Sequence, residues 1–448
     1  MKTFSYPRPE HSAQRRCPRP LRDLLPLEPL PELPAPPPLS SPPRTFSDPS
    51  YILTTHLVPV ALPRSTPEVP QPDTPARGPV ANAAAISLAR EMIALRDRYW
   101  DGKLDLPNST KPLWACVNRY VRRDLNDADG SKGITLVLTH ANGYHKEIWE
   151  PTILHMIHAQ RNSSSDIRVD EIWSWEPWNH GDAALINGRD ATCLFDGRDN
   201  ARDILQFILY YLPSQPSSAA LPVHLERLPE SVAASRRSRG FEGRQLVGVG
   251  HSLGGCSIAR LAIAEPTVFS SLILVEAGIV AYPGSGPLVD KRTVPYLVYA
   301  IKRESWWPSR EEARRALSAS PFFSTWDTDA LSIYVECGLC DDLNGRITLK
   351  MPGTQEAMTY TDMLTMYEAW DMIDTLDEGV EIRWILAGKI GKGEEWFRET
   401  TSWRRPMNCS NVVFTEAGHL IVMEAPEDLG KELFAFVERK YSSLQSKL

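Results

Sequence analysis

The stretch Arg244-Gln-Leu-Val-Gly-Val-Gly250-His251-Ser252-Leu253-Gly254-Gly255-Cys256-Ser-Ile-Ala-Arg260-Leu-Ala-Ile263 reads as a short buried strand, a tight turn at Ser252 and a helix. The turn carries Gly-x-Ser-x-Gly, the pattern of a nucleophile elbow. At such an elbow the strand and the helix nearly touch, so the positions two before and two after the serine must be small. Gly250 and Gly254 meet that demand. The helix N-terminus then aims the Leu253 N–H at any anion that forms beside the hydroxyl. Five positions with three fixed recur by accident, so the context decides. Leu246, Val247 and Val249 precede the turn, and Ile258, Leu261 and Ile263 follow at helical spacing.

Outward from the elbow, strands and helices alternate. The apolar runs predict strands at Leu113 to Val121, Ile134 to Thr139, Ile167 to Trp175 and Ser271 to Glu276, with later strands at Glu381 to Ala387 and Asn411 to Thr415. Helices are expected over Ala85 to Trp100, Glu147 to Ala159, Ala201 to Leu212 and Glu427 to Tyr441, with a polar loop from Pro213 to Gly243. This alternation implies an α/β fold with a mostly parallel sheet covered on both faces. Residues 279–380 are mostly helical in pattern and rich in aromatics, as expected of a lid inserted between two strands. The core is then split into 48–278 and 381–445. Residues 1–47 are expected to be a disordered extension, because eleven of the 38 prolines fall between Pro18 and Pro43.

With 448 residues, the chain has length for one large domain plus an insertion. Its formal charge of -7 offers no general attraction to nucleic acid or anionic membranes. No run approaches a membrane span, and no apolar leader opens the chain. Seven scattered cysteines suit a reducing compartment. Cys337-Gly-Leu-Cys340 has no second pair, so a metal site is not expected, and the reading requires no cofactor.

Elbow enzymes place their partners in the chain order serine, acid, histidine. Of ten histidines only His419 follows Ser252, on a strand running into Gly418-His419. The acid is open between two places. Glu276 closes the apolar run Leu272-Ile-Leu-Val, where a carboxylate is costly unless paired. Glu394 and Glu395 are the first carboxylates after the next strand. A second oxyanion donor is expected from the loop Thr139-His140-Ala141-Asn142-Gly143-Tyr144-His145, at the N–H of Ala141 or Asn142, with His140 holding the loop. Within the lid, Met363, Met366, Tyr367 and Trp370 step by three, one and three, a single helical face that would line an acyl pocket.

Taken together, Thr139 to Glu147, Asn179-His-Gly-Asp182, Gly248 to Gly255, Val275-Glu276 and Ala417-Gly-His-Leu420 resemble the fungal α/β-hydrolases that serve peroxisomal steps of secondary metabolism. These include the host-selective-toxin biosynthesis hydrolases and the acyl-CoA hydrolase of the mycophenolic acid pathway. Trp307 to Glu312, Phe322 to Trp326 and Tyr334 to Leu339 in the lid are similar as well. The resemblance covers the chain from about His56 onward, omitting the Pro213 to Gly243 loop. It implies an α/β-hydrolase fold and a triad on Ser252, Glu276 and His419. Where similar proteins often follow the acid with proline, this chain has Ala277. The implied activity is cleavage of an acyl-CoA thioester or ester of a secondary metabolite through an acyl-enzyme on Ser252. Rivals are an acyltransferase on the same triad and a general carboxylesterase or lipase. Dehalogenase or epoxide-hydrolase chemistry is disfavoured, since it needs a carboxylate where Ser252 stands. The chain ends Ser446-Lys447-Leu448, the peroxisomal address, which implies the import receptor as a partner and the matrix as destination.

Overall fold

The computed structural model describes residues 3–9, 16–72, 79–125, 133–282, 293–303, 305–391 and 395–445. The strands in chain order are β1 (Tyr51–Pro59), β2 (Trp114–Arg122), β3 (Gly133–Thr139), β4 (Val169–Glu176), β5 (Arg244–His251), β6 (Ser271–Val275), β7 (Trp306–Trp307), β8 (Leu339–Asp341), β9 (Ile347–Leu349), β10 (Glu381–Ala387) and β11 (Cys409–Phe414). Eight of them form one sheet in the order β1-β2-β4-β3-β5-β6-β10-β11. The β1/β2 and β2/β4 pairs are antiparallel and the rest are parallel.

The sheet's period of two sorts its side chains into two cores. Val137, Leu246, Leu272 and Leu274 face one cluster, whereas Leu136, Leu138, Val247, Val249, Ile273 and Val275 face the other. The first face is covered by the elbow helix (Leu253–Ala264) and the helix Gly197–Tyr210, which are tied by Asn200 Nδ2 donating to Ser257 Oγ at 2.9 Å. The second is covered by Glu150–Asn162 and the last helix, Pro426–Gln445. Burial on both faces is why these strands read as unbroken apolar runs.

The structure departs from the sequence expectations at four places. β1 was not anticipated, because Thr54, Thr55 and His56 interrupt its apolar pattern at a sheet edge. The loop expected over Pro213 to Gly243 contains a helix, Glu230–Arg239. Its Arg236 guanidinium donates to the carbonyls of Ile208, Leu209 and Leu212, satisfying the end of the preceding helix. Among its described residues the insertion carries five helices between Thr293 and Met372, and also a small sheet, β7-β9-β8, too short for periodicity to reveal.

The fourth departure is the Pro-rich front, which is not a disordered extension over its described residues. Pro18 to Pro43 forms no helix or strand, yet Leu24, Leu27 and Leu30 pack on the core. Arg22 ion-pairs with Asp196 at 3.1 Å and with Glu368 at 2.6 Å, and Arg202 donates to the carbonyls of Leu25 and Pro26. Buried guanidinium groups thus satisfy a backbone that proline leaves without partners of its own. The segment is a strap. Farther forward, Phe4 bridges Asn411 in parallel, and Ser5 N donates to Asn411 O at 3.2 Å, extending the sheet beyond β11.

Candidate active site

Ser252 sits between β5 and the elbow helix at φ 51° and ψ -114°, a left-handed conformation costly for a side chain. Close packing holds it there. A Cβ on Gly250 would lie 2.5 Å from Gly255 Cα, and one on Gly254 would lie 2.4 Å from the Thr139 carbonyl oxygen. Both glycines are therefore required by the approach of strand to helix. Ser252 N donates to Val275 O at 3.1 Å, and Gly278 N donates to Ser252 O at 2.7 Å, so the ends of β5 and β6 are stitched together at the serine.

Glu276, the residue after β6, also has positive φ, 41°. Its carboxylate reaches across to the turn after β11. His419 Nδ1 lies 3.1 Å from Glu276 Oε2, and His419 Nε2 lies 3.0 Å from Ser252 Oγ. Burial would push the Glu276 carboxyl up, but hydrogen bonds and charge from His419 and Arg398 outweigh it and hold the group at about 2. Of the alternative acids, Glu395 is exposed at the start of the helix Glu395–Ser402, and Glu394 lies outside the described residues.

Leu253 is the first residue of the elbow helix, so its N–H is one of the free donors of that terminus. The loop after β3 lies alongside, since β3 and β5 pair from Gly133 to Thr139. His140 Nδ1 donates to the Ala141 carbonyl at 2.8 Å, and burial keeps its ring neutral by lowering its pKa to about 3. Asn142 is held on two sides, with Nδ2 donating to Glu356 O at 3.1 Å and Oδ1 lying 3.1 Å from His180 Nε2. The Glu356 carboxylate lies against Gly143, where a Cβ would stand 3.0 Å from it.

Met363, Met366, Tyr367 and Trp370 divide between two packing clusters. Met366 lies beside Gly278, the residue whose N–H donates to Ser252 O, its Cε 3.3 Å from where a Gly278 Cβ would be. Trp370 is fully buried in the main core with Arg404 over its ring, and Tyr367 packs edge-on to Tyr282 with Met363 beside them. Two cavities, of about 300 Å³ beneath the strap and about 430 Å³ beside β11, are lined by none of Ser252, Glu276 and His419.

Two further residues, Arg398 and His251, were not singled out from the sequence. His251 Nε2 donates to the His419 carbonyl at 2.8 Å, and burial, then the nearby His419, lowers its pKa to about 3. Its place inside Gly-His-Ser was the only available signal. Arg398 makes two hydrogen bonds to Glu276, of 2.9 and 2.8 Å. Nothing in its local sequence marks it. Ser446, Lys447 and Leu448 lie outside the described residues, as does the import signal assigned to them.

A strand, a strained serine, a helix and a distant histidine meeting at one sheet edge make a hydrolase-like site, and a model of the alpha/beta hydrolase family matches residues 136–432. The chain belongs to that family. Among curated proteins, this alpha/beta hydrolase is 34% identical to an abhydrolase domain-containing protein, AFT2-1, of Alternaria alternata over 26% of this chain and 44% of that one. It is 28% identical to the type I acyl-CoA thioesterase mpaH of Penicillium brevicompactum, over 41% of this chain and 35% of the relative. The matches thus span less than half the length of these relatives. It is also 23% identical to the peroxisomal membrane protein LPX1 of Saccharomyces cerevisiae over 52% of this chain. The crystal structure of the peroxisomal alpha-beta-hydrolase Lpx1 from the same yeast superposes with a TM-score of 0.60 at 16% identity, covering 88% of this chain and 91% of that one, which shows a shared fold. Among the described residues, no helix is long and apolar enough to cross a membrane.

Proposed function

We propose that this hydrolase cleaves an acyl-CoA thioester or related ester of a secondary metabolite through an acyl-enzyme on Ser252. The observation that carries the reading is the unbroken relay from Glu276 to His419 to Ser252, with spacings of 3.1 and 3.0 Å. His419 takes the hydroxyl proton as Oγ attacks the acyl carbonyl. The imidazolium formed is stabilised by Glu276, which stays ionised through the working pH range. The oxyanion is received by the Leu253 N–H and an N–H of Ala141 or Asn142. His419 then protonates the leaving thiolate or alkoxide, and water, activated by the same ring, releases the acid. The half-exposed His419 side chain leaves room for that water.

The thioester class is supported by similarity to the Penicillium thioesterase, and a peroxisomal matrix setting by the terminal Ser446-Lys447-Leu448 and the likeness to LPX1. We assign residues 279–380 as the lid and the import receptor as partner at the C-terminus. Turnover of acyl-CoA esters against simple esters by purified protein, with free thiol and free acid both quantified, tests the reading. Equimolar thiol and acid are expected. Thiol release without free acid, in the presence of an alcohol or amine, would instead indicate acyl transfer.

A further inference from the structure

Both oxygens of the Glu276 carboxylate are saturated. Oε1 accepts the Ala387 N–H at 2.8 Å and Arg398 Nε at 2.9 Å, while Oε2 accepts Arg398 Nη2 at 2.8 Å beside His419 Nδ1 at 3.1 Å. A guanidinium that meets a carboxylate through two parallel N–H groups fixes its plane as well as its charge. From these contacts we infer that Arg398 is a positioning residue, a clamp that holds the Glu276 carboxylate in the plane and ionisation state His419 requires. This deepens the triad reading and rests on it.

Three observations carry the clamp. A glutamate has one more rotatable bond than an aspartate, so an acid of this length on a strained backbone keeps more freedom unless it is gripped. The pair is nearly dry, with side-chain exposures of 17% for Arg398 and 4% for Glu276, so it cannot be dismissed as a screened surface ion pair. The turn that closes the helix carrying Arg398 is itself anchored. Phe4 stacks on Trp403 at 5.0 Å, and Trp403 Nε1 donates to Tyr6 O at 2.9 Å. The amino-terminal residues along β11 thus brace the helix that grips the acid.

The clamp also fixes the electrostatics. Glu276 is faced by Arg398, His419, the neutral His251 and the Tyr6 hydroxyl. Arg398 is the permanent cation of this set, and its charge favours the ionised form of the buried carboxylate throughout the cycle. Without it, burial acts on Glu276 with less opposition and the carboxyl pKa rises.

The test compares Arg398→Lys, Arg398→Met and Arg398→Ala in the full-length chain by kcat, KM, pH profile and melting temperature, with Ser252→Ala in parallel. Arg398→Met is expected to lose roughly ten- to a hundredfold in kcat with KM little changed, as for an interaction made chiefly in the transition state. Its acidic limb should move to higher pH, because losing the guanidinium charge favours proton uptake by the Glu276–His419 pair. Arg398→Lys should fall between, since a point charge lacks the fork. Guanidinium chloride, at millimolar concentrations well below denaturing ones, should partly restore Arg398→Ala and leave wild type unchanged. If the Met and Ala variants do not fold, the lysine variant carries the test through its kcat and acidic limb. Wild-type kcat with an unmoved acidic limb, or a loss that neither pH nor guanidinium alters, overturns the clamp. Ser252→Ala separates the two failures: inactivity there beside a wild-type-like Arg398→Met sinks only the clamp, whereas surviving turnover in Ser252→Ala sinks the triad reading and the clamp together.

Discussion

The backbone carbonyl of His419 is held by the buried ring of His251, Nε2 to O at 2.8 Å, so a side chain on one flank of the serine fixes the loop that carries the base. Replacing His251 with Phe keeps an aromatic ring but removes the donor. The expected loss in kcat/KM is about tenfold, the rate equivalent of one net hydrogen bond of about 1.4 kcal/mol. Steady-state kinetics with a melting curve checks this; unchanged kcat/KM would mean the loop is fixed without His251.

Glu276→Gln keeps the shape and removes the charge. A fall in kcat of roughly 10⁴-fold is expected, as when a triad carboxylate is made neutral. Glu395→Gln, at an exposed position, should stay near wild type. The reverse ranking would move the acid to the later strand. Because the folded-state pKa is depressed to about 2 from an ordinary 4.5, the stabilisation from ionised Glu276 is present above pH 4.5 and lost as pH falls toward 2. Denaturant titrations of wild type and Glu276→Gln should therefore converge over that window, and a gap that stays constant would contradict the assignment.

On the helix Met363–Met372, Trp370 is fully buried whereas Met366 is half-buried. Trp370→Ala is expected to cost about 3 to 5 kcal/mol of stability, the range for emptying a buried aromatic site. Met366→Ala should instead shift preference among acyl chains by roughly tenfold in kcat/KM, with a small activated ester little affected. Equal losses on large and small substrates, accompanied by a lowered Tm, would make Met366 core as well.

Deleting Ser446 to Leu448 should leave turnover unchanged and move an amino-terminally tagged fusion from puncta to a diffuse distribution. Co-localisation with a peroxisomal marker that survives the deletion would place the signal elsewhere.

The sheet and elbow were legible because they follow from local rules. Burial on both faces makes Ile134 to Thr139 and Ser271 to Val275 buried throughout and mostly apolar, and close packing at the elbow, against Gly255 on one side and Thr139 on the other, demands Gly250 and Gly254. His419 was reachable by chain order alone. What stayed hidden depends on contacts distant in sequence. Arg398 acquires meaning only when it meets Glu276, 122 residues earlier, and the strap is held by contacts equally remote in sequence, with Arg22 reaching Asp196 and Glu368 while Arg198 and Arg202 donate to the carbonyls of Asp23, Leu25 and Pro26. The helical periodicity of Met363, Met366, Tyr367 and Trp370 was real, but periodicity reports burial and does not distinguish a pocket wall from core.

The most direct measurement of the central claim is the mass of the intact protein during turnover of an acyl-CoA, followed by peptide mapping. The expected result is a transient adduct equal to the acyl group on the peptide containing Ser252, absent in Ser252→Ala, which should also be inactive. Turnover persisting in Ser252→Ala, or an adduct on another residue, would contradict the account.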